Sequence, residues 1–263
     1  MIRYARGVEV WSADRVWARV ESLAESDPGG AVAMDADGTL WSGDVGEDLF
    51  HAFVKHGRVE APSLQAMRRE ARDHALSDAG SGPDIARRIY AAYVDGRFPE
   101  KRVCELMTWA FAGWTQSDVR AFARSVIDHA GLAARLHDEV LRVLERARAA
   151  AILVVIVSAS PIDIVSEAAL RIGFDEGDVV AARPRFEGHV MLADVERPIP
   201  YAEGKVERLR QRIGSTRALY AAFGDNAFDV ALLASACLGV AVRPKARLRE
   251  RAHEVPTIVE LAR

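Results

Sequence analysis

With 263 residues, 50% of them apolar, the chain is long enough for one large domain or two modest ones around a proper core. Acidic and basic residues nearly balance, leaving a formal charge of -3, so nothing calls for nucleic acid or an anionic membrane as a partner. Cys104 and Cys237 are too few and too far apart for a disulfide framework or a zinc site. The first ten residues lack the apolar core of a signal peptide, and no run is long and uncharged enough to cross a bilayer. These features lead us to expect a cytoplasmic protein; a monomer and a homodimer are both compatible with the sequence.

Residues 12–24 carry Val16, Trp17, Val20 and Leu23 at helical spacing behind Ser12, which predicts a capped helix on the outside of the domain that follows. Asp27-Pro28-Gly29-Gly30 then turns the chain into a short apolar run, 31–34, with the character of a buried strand. Asp35 and Asp37 stand where that strand ends, with Gly38 and Thr39 directly after them. Residues two apart on a strand share a face, so both carboxylates can reach one ligand. Two ionised carboxylates this close repel unless a divalent cation sits beside them or one keeps its proton. Gly38 lets backbone amides approach an anion and Thr39 adds a hydroxyl donor, a pattern that suits a phosphate beside a nucleophilic Asp and magnesium. The same residue types also close Asx-rich hairpin turns.

From 44 to 130 helical patterns dominate, at 45–56, 63–76, 84–94, 99–111 and 117–129, with turn signals at Gly57, Gly80-Ser81-Gly82-Pro83, Asp95-Gly96 and Gly113. This stretch is predicted to be a helical insertion, a cap that closes over the reactive corner. Within it Trp109, Phe111 and Trp114 cluster behind Arg97 and Arg102, as a ligand contact or as core.

A helix over 133–149 leads to an unbroken, mostly β-branched run, 151–157, of the kind buried on both faces in a parallel sheet. Ser158-Ala159-Ser160-Pro161 follows, before a helix reaching Leu170. A hydroxyl and small residues there make either an anion site or a helix cap. A strand at 178–182 precedes a hairpin at 185–191, expected on the sheet edge. Lys205 sits at the start of a helix over 203–213, where the dipole disfavours a cation, as though it meets an anion. A strand at 218–223 ends in Gly224-Asp225-Asn226-Ala227-Phe228-Asp229, a second acidic corner before a helix from Val230. A strand at 237–242, a helix at 245–252 and a closing element at 255–261 complete the chain.

Strands alternating with helices predict an α/β fold, an open, mostly parallel sheet flanked by helices, with ligands bound outside the carboxyl ends of the strands. Asp35, Asp37, Ser158 and Asp225 all fall at such ends.

Together, Asp35-x-Asp37-Gly38-Thr39, Ser158 after an apolar strand, Lys205, and Gly224-Asp225-x-x-x-Asp229 resemble, in order and spread, the four motifs of the haloacid dehalogenase superfamily of phosphatases. The resemblance implies a Rossmann-like core at 1–43 and 131–263, including a helical N-terminal extension at 1–30, with an all-helical cap at 44–130 between the first two motifs. It implies Asp35 as nucleophile, Asp37 as acid/base, and Ser158 and Lys205 holding the phosphoryl group. Magnesium would be bound through Asp35, Asp37 (by its carbonyl) and Asp225, with Asp229 near its first shell. The helical insertion, Val157 to Val165, Gly173 and Arg243-Pro244-Lys245 are similar to the phosphoserine-phosphatase-like branch, whose substrate is a small phosphorylated metabolite. Asp44 falls where that branch places a Glu facing the substrate's amino group. Gly38, Thr39, Ala159, Asp44, Trp41, Arg102 and Trp109 are therefore the candidate substrate contacts. Gly38 replaces the usual Ser, Ala159-Ser160 a glycine pair, and Phe228 an Asn. Trp41, Trp109 and Trp114 with Asp44 would cage a quaternary ammonium, which makes phosphocholine a second candidate substrate. The same motifs are compatible with a phosphotransferase using an alcohol acceptor and with a non-catalytic phosphate-binding module.

Overall fold

In the computed structural model residues 7–56 and 58–263 are described; the turn expected at Gly57 and residues 1–6 of the predicted extension lie outside them. Among the described residues, seven strands form one sheet: β1 (Glu9–Trp11), β2 (Ala31–Met34), β3 (Leu153–Pro161), β4 (Val179–Ala182), β7 (Leu219–Gly224), β8 (Gly239–Val242) and β9 (Ile258–Leu261). Their order is β1-β9-β8-β7-β2-β3-β4 and every neighbouring pair is parallel. Central β2 is flanked by β7 and β3, with Ala33 opposite Ala222 and Val155.

Alternation along the strands assigns the two faces. Val32, Met34, Val154, Ile156 and Phe223 join one apolar cluster, which continues into α1 (Ala13–Ser26), α7 (Asp138–Ala149) and α8 (Ile162–Arg171). Ala31, Ala33, Val155, Val157 and Ala222 point the other way, onto α9 (Glu203–Ile213), α10 (Val230–Ala234) and α11 (Ala246–Arg251). The result is a three-layer helix-sheet-helix sandwich.

Between β2 and α7 run α2 (Val45–His56), α3 (Ala61–Asp73), α4 (Gly82–Val94), α5 (Glu100–Trp109) and α6 (Gln116–His129). Their starts are chemically marked. Asp44 Oδ1 accepts from the Glu47 amide at 2.8 Å, Ser81 and Asp84 form a reciprocal capping box, and Thr115 accepts from Asp118 N. Phe50, Phe53, Phe111 and Trp114 form the aromatic centre of this block, and its apolar interior is continuous with the first sheet face.

Four details differ from the sequence expectations. Glu9–Trp11 is an edge strand paired with β9; three residues with no apolar alternation give no strand signal. The helix predicted over 133–149 is broken into a 3-10 turn, Leu132–Arg135, and α7. At the break Trp41 pairs with Leu136, Ser42 N donates to Arg135 O, and His137 N donates to Leu40 O, so the loop after β2 claims the backbone that a helix would have used. The strand at 151–157 runs on to Pro161, which puts Ser158 inside β3 and not at a helix N-terminus. The hairpin, β5 (Pro184–Glu187) with β6 (Val190–Val195), is a separate antiparallel sheet and not on the edge of the main one. Its outer strand exchanges hydrogen bonds with the turn before α6, between Met191 and Gly113 and between Met191 and Trp114.

Candidate active site

The carboxyl ends of β2, β3 and β7 lie side by side, so the backbone alone brings Asp35, Ser158 and Asp225 to one edge of the sheet. Asp35 is buried, and both of its oxygens are engaged: Lys205 Nζ donates to Oδ1 at 2.5 Å and Thr39 Oγ1 to Oδ2 at 3.0 Å. Lys205 has no exposed surface and also donates to Asp229 Oδ1 at 2.5 Å, so the anions expected at this helix start are two protein carboxylates. Burial alone would push the Lys205 ammonium down, but Asp229 and Asp35 outweigh it and hold it above the ordinary lysine value. Burial raises the Asp35 carboxyl well above its usual range; Lys205 opposes this while Asp229 and Asp225 add to it.

Asp225 follows β7. Its Oδ2 lies 2.9 Å from Lys245 Nζ, and burial together with the Asp229 charge pushes its pKa up to about 6. Asp229 is locked behind it, Oδ2 accepting from the amides of Asp225 (3.1 Å) and Asn226 (2.9 Å). Gly38 has φ +81°, and a Cβ there would fall 2.1 Å from Asp225 Oδ2, so the glycine is what lets the two acidic corners touch.

Asp37 faces a different set of partners. Oδ1 accepts from Trp41 Nε1 and Val45 N, both at 2.8 Å, and Oδ2 from Ser160 Oγ at 2.7 Å. Ser158 is buried on the cavity floor, its Oγ accepting from Ser160 N at 3.0 Å.

These groups open into a cavity of about 290 Å³, the scale of a small-molecule site. Its floor includes Asp35, Asp37, Gly38, Ser158 and Ala159; its wall includes Asp44, Glu47, Tyr93, Glu100, Val103, Cys104 and Met107, with Asn226, Phe228 and Lys245 beside them. Glu100, Val103, Cys104 and Met107 lie at i, i+3, i+4 and i+7 on α5, one face of one helix. Asp44 carries a raised pKa, chiefly from burial and then from the Asp37 charge. A larger open groove of about 770 Å³ runs beside β1 and β9 past Trp11, Arg15, Arg249 and His253. Arg15 and Arg249 there are paired with Glu9 and Glu260, and among the described residues no catalytic grouping converges on it.

Three expected substrate contacts lie elsewhere. Trp41 has no exposed surface and spends its indole N–H on Asp37. Trp109 is buried in the helical core. Arg102 is paired with Glu70 and Glu105. Trp114 donates to Arg58 O and stacks beneath its guanidinium, so these three tryptophans form no cage around Asp44. Thr39 is fully buried against Asp35, whereas Gly38, Ala159 and Asp44 line the cavity. The sequence reading missed Glu47, Tyr93 and Glu100 as wall residues and Ser160 as a partner of Asp37. The i, i+3, i+4, i+7 spacing on α5 was visible, but periodicity does not say whether a helix face meets core or cavity.

A divalent cation fits the floor. Asp35, Asp225 and Asp229 offer oxygens within 4.8 Å of one another, and Asp225 Oδ1 is buried with no hydrogen-bond partner. Carboxylate oxygens are the donors magnesium prefers. The Asp37 side chain is turned to Trp41, Val45 and Ser160 and takes no part in that set.

Fold and site together define a Rossmann-like α/β enzyme with its chemistry at the carboxyl edge of a parallel sheet. Residues 32–234 match the haloacid dehalogenase-like hydrolase family, and the chain belongs to it. Among solved structures it is similar to a protein of unknown function from Bordetella pertussis Tohama I (21% identity, 87% of this chain and 97% of that one, TM-score 0.67). A functionally unknown protein from Anaerococcus prevotii DSM 20548 is similar at 16% identity, over 98% of this chain and 94% of that one, TM-score 0.65. A substrate-bound phosphoserine phosphatase shares the fold at 14% identity, over 89% and 93%, TM-score 0.53. No curated protein matches the chain. Among the described residues no helix is long and apolar enough to cross a membrane.

Proposed function

We propose that this chain is a magnesium-dependent phosphomonoester hydrolase acting on a small phosphorylated metabolite, with residues 44–130 as a cap over a core formed by 1–43 and 131–263. The observation that carries the reading is the convergence of Asp35, Asp37, Ser158 and Asp225 on one cavity, with Lys205 fixed behind Asp35. Magnesium, held by Asp35, Asp225 and the Asp37 carbonyl with Asp229 just behind, would supply charge neutralisation to the phosphoryl oxygens.

The chain's own groups account for the remaining steps. Lys205 and Thr39 fix the Asp35 carboxylate. One of its oxygens attacks phosphorus, the bond from phosphorus to the leaving oxygen breaks, and Asp37 gives that oxygen a proton. Water then attacks the aspartyl-phosphate, Asp37 takes the water's proton, and inorganic phosphate leaves with Asp35 restored. Ser158, on the floor, is placed to donate to a phosphoryl oxygen. The wall of α2, α4 and α5 would keep bulk water from Asp35 during the first step, before the single hydrolytic water is admitted.

One observation favours a narrower reading. The wall that would face the leaving group carries Asp44, Glu47 and Glu100 beside Tyr93, which suits a leaving group with a positive charge, such as an amino acid or amino alcohol. The deciding experiment is a screen of phosphorylated metabolites, phosphoserine and phosphocholine included, with and without magnesium and with added alcohol acceptors. Magnesium-dependent phosphate release supports the hydrolase; turnover that rises with acceptor makes the enzyme a phosphotransferase. Release of no phosphate from any of them refutes the reading.

A further inference from the structure

The two oxygens of Asp37 are held by chemically different partners. Among the described residues Oδ1 meets only the Trp41 indole N–H and the Val45 amide N–H, each 2.8 Å away. Both can donate and neither can accept, so Oδ1 is a permanent acceptor and has no room for a proton. Oδ2 meets the Ser160 hydroxyl at 2.7 Å, a group that donates to a carboxylate and accepts from a carboxylic acid. Ser160 is itself on the cavity wall, so Oδ2 is the oxygen on the substrate side.

The surroundings keep this arrangement in one geometry. Trp41 has no exposed surface, its carbonyl accepts from Gly38 N, and its backbone pairs with Leu136, so the indole cannot swing away. Val45 N is the first amide of α2, whose dipole adds a fixed positive end at Oδ1. Ser160 packs against Gly46, where a Cβ would come within 2.8 Å of its Oγ, so α2 has a gap shaped for this hydroxyl.

We propose that Trp41 and Ser160 are positioning residues that decide which oxygen of Asp37 moves the proton: Oδ1 is pinned as an acceptor, and Oδ2 carries the proton in and out while the Ser160 hydroxyl reverses with it. The inference rests on the acid/base assignment of Asp37 made above. In the first step the Oδ2–H bond breaks and its proton forms the O–H bond of the departing alcohol, while Ser160 turns to donate to Oδ2. In the second step Oδ2 takes a proton from the attacking water and Ser160 turns back to accept.

The test compares two substrates that differ in their need for an acid. An alkyl phosphate has a poor leaving group and depends on protonation; para-nitrophenyl phosphate does not. Ser160→Ala is expected to lower kcat/KM for the alkyl ester by about tenfold to a hundredfold, within the range of general-acid contributions, and for the aryl ester by less than about threefold. Ser160→Thr, which keeps the hydroxyl, is expected to recover most of the loss. Trp41→Phe is expected to show the same substrate dependence; if it does not fold, the two Ser160 variants decide alone. Equal losses on both esters, or none, would overturn the proposal while leaving the hydrolase reading intact. Asp37→Asn retaining parental rates on the alkyl ester would overturn the acid/base assignment and this inference with it.

Discussion

The floor and the wall of the cavity are built on opposite principles. Every charged group on the floor is pinned by at least one protein partner, and Asp35, Lys205, Asp225 and Asp229 are a single buried network. The wall has one face of α5, Glu100 to Met107, Tyr93 of α4 and the start of α2; among the described residues Glu47 and Glu100 form no ion pair, Glu100 accepting only from the Tyr201 hydroxyl, and the one lysine lining the cavity, Lys245, is paired with Asp225. Burying charge is costly, so a pinned floor reports chemistry that cannot vary, whereas a sparsely bonded wall reports the part that meets different substrates. Changes to the floor should therefore move kcat, and changes to the wall KM.

The sharpest test of that division is Asp35→Asn, expected to lower phosphate release on the order of 10⁴-fold or more, as removal of a covalent nucleophile does. Initial rates with the best substrate of the screen measure it; near-parental turnover ends the aspartyl-phosphate mechanism. Chelation is expected to abolish the activity and magnesium to restore it in a rate titration, with Asp225→Ala requiring far more metal.

Lys205→Met removes the cation between two buried carboxylates and should cost about 3–5 kcal/mol of folding stability. Chemical denaturation measures it, and an unshifted midpoint would mean that the network is less strained by charge than its geometry says. The joint between α6 and α8 tests the same physics outside the cavity. Burial pushes Asp163 up to about 6, against the opposing charges of Arg120 and Arg183. Its folded pKa lies above its ordinary value of 3.8, so between those two values the folded state binds more protons than the unfolded, and stability falls as pH rises through that window. Asp163→Asn removes the penalty, so the variant should be more stable than the parent at pH 8, by roughly 3 kcal/mol at most, and the two should converge near pH 4. Melting curves that stay parallel across that range would exclude it. The smallest effect belongs to the wall: Glu100→Gln should raise KM for a cationic phosphoester by about threefold to tenfold with little change in kcat. A change in kcat alone would place Glu100 with the floor.

Most of the fold was legible because its signals are local. The apolar runs at 31–34 and 218–223, the periodic helices between 45 and 129, and the cap at Ser12 all act within a few residues of themselves. The positions of Asp35, Lys205 and Asp225 at strand and helix ends were legible for the same reason, whereas Ser158 lies inside a strand that runs three residues past it. The broken helix at Leu136 and His137 was not, because nothing in 133–149 disfavours a helix; only the loop carrying Trp41, nearly a hundred residues earlier in the chain, competes for its backbone. Trp41 shows the same limit. Its residue type suggested an aromatic ligand contact, and its place in the fold made it a hydrogen-bond donor to Asp37.

The sequence by itself determined which residue types stand at the ends of which strands, since strand length, periodicity and motif spacing are properties of short segments. Only the tertiary structure decided what each polar atom pairs with: that Lys205 meets Asp35 and Asp229, that Ser160 meets Asp37, and that one face of α5 borders a cavity. Those pairings join residues far apart in the chain, and they exist because a buried charge or donor must find a partner in whatever packs against it.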